Sequence, residues 1–319
     1  MNIPIFDGHR FNGYSSYFTR QFGGRLQKLS INAGFTCPNR DGKISTGGCT
    51  FCNNEAFSPS YCRPEKSIRQ QIEEGIEFHQ RRYRHASRYL AYFQSYSNTY
   101  KPLPHLKSIY RQALAVSGIV GIVIGTRPDC IDEPLLDFLN EIQKTHFVML
   151  EYGVESVYDE TLQRVNRGHD FATAEWAIRL TAQYGIPCGG HFIFGLPGET
   201  KAMMLNTADI ISQLPLTTVK FHQLQIFKGT KMAEEYLQHP EAFHLFDFEE
   251  YIDFVIDFAE RLNPNIVIER FAGEVPPRFL VSEPWMKLRY DEVLCRIEKR
   301  MEERDTWQGK LYKPNYTRP

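Results

Sequence analysis

Residues 28–52, KLSINAGFTCPNRDGKISTGGCTFC, put three cysteines in one loop: Cys37, Cys49 and Cys52. The spacing is C-x11-C-x2-C, and Phe51 stands directly before the last thiol. Four cysteine thiolates normally complete an iron–sulfur cluster. Three can hold three corners of a [4Fe–4S] cube and leave the fourth iron open, the feature that separates reactive metal sites from closed structural ones. With Cys62 the same thiols also make a four-sulfur set for zinc. Structural zinc is usually held by two close pairs of ligands, whereas Cys37 and Cys62 each stand alone. Gly47 and Gly48 allow a tight turn against an inorganic core. Pro38 and Asn39 fix the turn after the first thiol.

Outward from this loop, short apolar runs alternate with helical patterns. Strands are expected at Gln27–Ala33, Tyr89–Gln94, Val120–Gly125, Phe147–Val154, Ile186–Phe194 and Thr218–Ile226. Ser67 and Gln70 form a capping-box pair ahead of Ile68, Ile72 and Ile76. Asp132 caps a helix through Gln143, Gly185 stops a helix over Ala172–Tyr184, and Thr200 caps one ended by Pro215. Six strand–helix units in series argue for a parallel sheet, as a barrel or as a doubly wound layer. After about residue 227 the pattern changes. Residues 234–260 hold nine acids and no Lys or Arg, followed by a helix near Phe248–Leu262, a strand at Ile266–Phe271 and a helix over Trp285–Arg304. The organisation expected is an N-terminal extension (1–26), a core (27–227) and a smaller C-terminal region (228–319).

The cysteine loop, together with IGTRPDCI (124–131), EYGVESVYDETLQRVNRGHD (151–170) and HFIFGLPGET (191–200), resembles the radical SAM superfamily. The resemblance is closest to the YhcC/YtqA-like bacterial branch, which is related to the elongator catalytic subunit. It implies a partial (β/α)6 TIM-like barrel with a smaller C-terminal α/β extension, and a site at the carboxyl ends of the strands. It implies a [4Fe–4S] cluster on Cys37, Cys49 and Cys52, with S-adenosylmethionine on the open iron. It also implies a low-potential electron donor of flavodoxin or ferredoxin type. The expected reaction is reductive cleavage of S-adenosylmethionine to a 5′-deoxyadenosyl radical, which takes hydrogen from a substrate.

The resemblance places Phe51 against the adenine and Ser156 and Arg167 at the carboxylate or ribose, where a planar guanidinium matches a carboxylate. Many relatives carry Gly-Gly-Glu after strand two for the cofactor's amine. Here Gln94 and Ser95 stand instead, and Gln94 is the candidate for that contact. Gly195 in HFIFGLPGET and Leu224 on strand six are further cofactor-side candidates. Arg127, Asp129 and His191 are candidates on the substrate side, although Arg127 and Asp129 can equally brace the rim as a pair. Glu151 is expected to face the interior, where a buried carboxylate needs a partner. Cys130, Cys188 and Cys295 read as small packing groups.

The net charge of −1 gives no global pull toward nucleic acid or anionic membrane. The longest apolar runs, such as Ile119–Ile124, are too short to span a bilayer, and residues 1–30 show no secretory pattern. Seven cysteines in a chain of 319 residues fit a reduced, cytoplasmic protein better than a disulfide scaffold. One local charge excess stands out. Residues 63–111 carry ten Lys/Arg and four acids, with QRRYRHASRYLAYFQSY at their centre, and residues 287–318 carry nine bases and six acids. Basic, aromatic-rich surfaces attract phosphates and stack bases. With the elongator resemblance they make a tRNA base, at the C5 side chain of a wobble uridine, the expected substrate. An enzyme acting on a small molecule or protein side chain, and a non-catalytic zinc- or RNA-binding module, are the alternatives.

Overall fold

The computed structural model describes residues 6–82, 86–282, 285, 288–314 and 316. The centre of the basic stretch, at 83–85, and the start of the expected last helix, at 286–287, lie outside the described residues.

Helix α1 (Tyr14–Phe22) leads into β1 (Leu26–Ile31), and the long cysteine loop follows. Then come α2 (Ile68–Arg82), β2 (Arg88–Phe93), α3 (Leu103–Leu114), β3 (Ile119–Thr126), α4 (Glu133–Gln143) and β4 (Phe147–Glu155). The chain continues through α5 (Asp159–Arg164), α6 (Phe171–Gln183), β5 (Cys188–Phe194), α7 (Lys201–Ile211) and β6 (Thr218–Gln223). It ends with α8 (Lys231–Gln238), α9 (Phe248–Arg261), β7 (Val267–Arg270) and α10 (Tyr290–Glu303). The expected caps are made. Asp132 accepts from the Leu135 N–H, Thr200 from Met203 and Ser67 from Gln70.

The strands form one sheet in chain order, β1 to β7, and every neighbouring pair is parallel. A doubly wound sheet reverses its strand order at a switch point. This sheet has no reversal and curls into a partial barrel. The strand expected in the C-terminal region, β7, is the seventh member of that sheet. It pairs with β6 through Thr218–Val267 and Val219–Ile268. Thus the barrel runs past the six expected units. Among the described residues no ladder joins β1 to β7. Their edges are linked by the ion pair of Lys28 with Glu269 and by the chain before α1, where Gly13 bridges Ile268.

Outward-facing residues such as Ile31, Phe93, Ile122, Leu150, Phe192 and Phe221 are buried under the helices. Inward-facing residues form three levels, because side chains alternate with period two along each strand. At the amino end Leu90, Val123 and Met149 pack on Phe18 of α1, which stoppers the barrel. Lys28, Tyr92, Glu151, His191 and Lys220 make the middle level. Ser30, Gln94, Gly153, Ile193 and His222 stand above, toward the cysteine loop. A parallel sheet covered on both faces normally reads as continuous apolar runs. The charged residues of the middle level, Lys28, Glu151, Lys220 and Glu269, are therefore the informative departure. Among the described residues no helix is long and apolar enough to cross a membrane.

Candidate active site

Cys37, Cys49 and Cys52 line one cavity of about 620 Å³ at the carboxyl end of the barrel. The loop that carries them is built by local hydrogen bonds. The Cys37 carbonyl accepts from the N–H groups of Arg40 and Asp41, and the Asn39 carbonyl accepts from Gly48 at 2.8 Å. Gly48 has φ +82°, and a Cβ there would meet Arg40 Nε at 2.8 Å, so the turn needs glycine. The segment after α5 clamps the loop from the other side. The Val165 carbonyl accepts from Thr50 N–H, and Asn166 Nδ2 donates to the Gly48 carbonyl at 2.9 Å.

Polar donors surround the sulfurs. Asn39 Nδ2 and Arg167 Nη1 reach Cys49 Sγ at 3.5 and 3.4 Å, and Asn54 Nδ2 reaches Cys52 Sγ at 3.5 Å. Burial pushes the Cys52 thiol up, as does neighbouring Cys49, while Arg40 and Arg167 pull it down. Arg40 lies within electrostatic reach of both Cys52 and Cys37, so the three thiols share one neighbourhood. Cys62 is apart. It does not line the cavity, and burial pushes its thiol up to about 12. Among the described residues no three His, Cys, Asp or Glu side chains converge on a single ion. A tetrahedral zinc site needs all its sulfurs about 2.3 Å from one point. A cube gives each thiolate its own iron, and thiols approached by the N–H donors of Asn39, Asn54 and Arg167 suit the ligand chemistry of such a core.

Beneath the thiols lies a ring of opposite charges. Glu151 accepts from Lys28, from Lys220 at 3.1 Å, from Tyr92 Oη at 2.8 Å and pairs with His191 at 2.8 Å. Glu269 closes the ring, 2.8 Å from Lys28 and 2.9 Å from Lys220. Burial alone would raise the Glu151 carboxyl, but Lys220, Lys28 and His191 hold it well below the usual carboxylate range.

Residues 36–211 match the model of the radical SAM superfamily, and residues 216–303 match that of the radical SAM C-terminal domain. The chain is 36% identical to protein YhcC of Escherichia coli K12 over 282 residues, covering 88% of each. It is 32% identical to YtqA of Bacillus subtilis over 305 residues, 95% of this chain and 93% of that one. The chain belongs to the radical SAM superfamily. A more distant match, 26% over 171 residues, is to a tRNA uridine(34) acetyltransferase of Methanocaldococcus infernus, covering 51% of this chain and 30% of that one. The fold is similar to that of the Elp3 structure from the same archaeon, with TM-score 0.63 and 16% identity over 89% of this chain and 64% of that one.

Radical SAM enzymes use a [4Fe–4S] cluster and S-adenosylmethionine, and the candidates for these cofactors fall into two groups. Phe51, Gln94, Arg167 and Leu224 line the cavity with the thiols. Gln94 Oε1 accepts from Ser30 Oγ at 3.3 Å. Arg167 is buried and bonded to the Gly153 carbonyl, with Glu155 at 3.7 Å. Glu155 sits at φ +71° beside a β-bulge, which turns the end of β4 toward the rim. Ser156 and Gly195 lie behind this wall, not on it. The Ser156 hydroxyl donates to Glu199, and the Gly195 N–H points at Met204 Sδ.

On the substrate side, His191 faces the cavity and Arg127 reaches its wall, but Asp129 turns away. Asp129 takes Arg127 in a two-point pair, Nε–Oδ1 2.8 Å and Nη2–Oδ2 2.7 Å, while Arg127 Nη1 donates to the Arg167 carbonyl. This geometry is the rim brace. Lys28, Lys220 and Glu269 in the ring, and Asn166 on the loop, stand outside the residues expected at the site. The alternation of polar residues within apolar strands was the available signal for the ring. Asn166, bonded to a loop 118 positions away, left none.

Proposed function

We propose that this chain holds a [4Fe–4S] cluster on Cys37, Cys49 and Cys52, cleaves S-adenosylmethionine reductively and uses the 5′-deoxyadenosyl radical to take hydrogen from a substrate in the cavity. Cluster and S-adenosylmethionine supply the radical chemistry. The chain's own residues orient and enclose it. Arg167 and Gln94 offer polar contacts to the zwitterionic methionine end, and Phe51 and Leu224 offer apolar faces to the adenine. The charged floor fixes the reacting group, and the walls keep out water and stray C–H bonds. One observation carries this reading: three thiols without a fourth line the same cavity as a polar, buried floor. A flavodoxin- or ferredoxin-type donor supplies the electron, and the reduced cytoplasm suits such a cluster.

The substrate we propose is a tRNA base, at the C5 side chain of the wobble uridine. The named activity of the tRNA uridine(34) acetyltransferase relatives supports it, as does the Elp3-like fold. A specific observation favours a small-molecule substrate instead. Several bases of the 63–111 stretch are spent on acids of α2, Lys66 with Glu74, Arg69 with Glu73 and Arg81 with Glu77.

Anaerobic reconstitution followed by assay of 5′-deoxyadenosine, with and without total tRNA, tests both. Dithionite with a full cluster and no 5′-deoxyadenosine rejects the cleavage. An unchanged tRNA nucleoside profile in a deletion strain rejects the tRNA substrate, and loss of a wobble-uridine derivative supports it.

A further inference from the structure

The floor ring is electrically closed: two lysines face two carboxylates. Arg270, next to Glu269 at the end of β7, is left outside it. Its guanidinium lies over the Tyr290 ring, 5.4 Å from the centroid, and has no carboxylate partner among the described residues. The Phe271 N–H donates to Tyr290 Oη at 3.1 Å and fixes that aromatic platform. Across the same wall stand His222 and Gln225. Both side chains crowd the bare backbone of Gly273, where a Cβ would fall 2.8 Å from His222 Nδ1 and 3.3 Å from Gln225 Oε1. Neither has a side-chain hydrogen bond among the described residues, and both line the cavity with Arg270. Burial, with Arg270 next in effect, keeps His222 neutral, so its ring has one N–H to donate.

A planar cation held over an aromatic ring, with amide and imidazole donors beside it, matches a group with two or three anionic oxygens. Convergent polar groups in a largely apolar cavity are the usual mark of a ligand's orienting end. We propose that Arg270, His222 and Gln225 form an anion subsite that takes a carboxylate or phosphate of the substrate at the β1–β7 seam. This deepens the reading of the cavity as the place where a substrate meets the radical, and rests on it. The subsite lies on β6, the segment just after it and β7, whereas the thiol loop is clamped by the segment after α5. Arg167 and Gln94, the residues proposed for the methionine end, stand in other segments, so the anion is assigned to the substrate.

The test uses the anaerobically reconstituted protein at constant ionic strength. Two probes are titrated: inorganic phosphate, followed by phosphorus line width, and acetate, followed by saturation transfer to its methyl protons. Saturable binding of either, weakened about tenfold in Arg270→Gln and partly kept in Arg270→Lys, is the expected result; tenfold is about 1.4 kcal/mol. Tighter phosphate binding marks a phosphorylated substrate or nucleotide, and tighter acetate binding a carboxylate. If Arg270→Gln fails to fold by circular dichroism, Gln225→Met removes a donor and is expected to weaken binding about threefold, roughly 0.6 kcal/mol. No saturable binding by wild type, or equal binding by the variants, overturns the proposal. An equal loss of S-adenosylmethionine affinity in Arg270→Gln, by equilibrium dialysis, also overturns it by giving the site to the cofactor. Neither measurement needs turnover, so a missing 5′-deoxyadenosine signal would count against the radical chemistry alone.

Discussion

The Arg167 guanidinium stands 3.4 Å from the Cys49 sulfur, joining the cysteine loop to the segment after α5 across 118 positions. One side chain thus serves the thiol, the Gly153 carbonyl and Glu155. Arg167→Met strands a half-buried carboxylate and a carbonyl, and is expected to cost about 3 kcal/mol in urea unfolding. Arg167→Lys recovers only part of this, because a single ammonium cannot span three partners. A Lys variant as stable as wild type would show that the fork is not needed.

Replacing Cys37, Cys49 or Cys52 by Ala is expected to remove most iron and sulfide and the absorbance near 400 nm, the region typical of such clusters, after anaerobic reconstitution. Cys62→Ala is expected to keep both, since its thiol is off the cavity. Iron and sulfide retained without Cys49, or lost with Cys62, would refute the ligand set.

Glu151 gives an acid-side signature. Its carboxyl is held well below the ordinary 4.5. The stability it adds is full above about pH 4.5 and is lost as pH falls toward the depressed value. Glu151→Gln should flatten that limb and, by leaving Lys28 and Lys220 with Glu269 alone, lower stability at pH 7 by about 3 kcal/mol. Denaturant melts from pH 3 to 7 check this; an acid limb unchanged in the variant is the contrary outcome.

Glu199 acts in the opposite sense. Burial raises its carboxyl to about 7, although Ser156 and Thr161 hydrogen-bond to it. The folded state prefers the protonated form, so wild type loses stability as pH climbs from about 4.5 through 7. Glu199→Gln is expected to remove this loss and to be more stable than wild type at pH 8. Parallel pH dependences of the two proteins would contradict the assignment.

Much of the scaffold was legible locally. Short apolar runs gave all seven strands within a few residues, and Asp132 and Thr200 marked helix starts because caps are local chemistry. The boundaries drifted where sheet pairing decides. Ile186–Phe194 was expected, and β5 begins at Cys188; Thr218–Ile226 was expected, and β6 ends at Gln223. The last helix begins at Tyr290, behind Arg289, not at Trp285.

Sequence alone determined the chemistry-bearing loop, since Cys37, Cys49 and Cys52 lie within sixteen residues and their spacing survives any packing. It also determined the alternation of strand and helix that makes a parallel sheet. Only the tertiary structure decided which polar residues meet. Lys28 and Glu269 are 241 positions apart and touch because the sheet curls until its two edges approach. Strand twist and the curl of the sheet, which no local pattern encodes, bring Arg270, His222 and the charged ring to the cavity that the three thiols line.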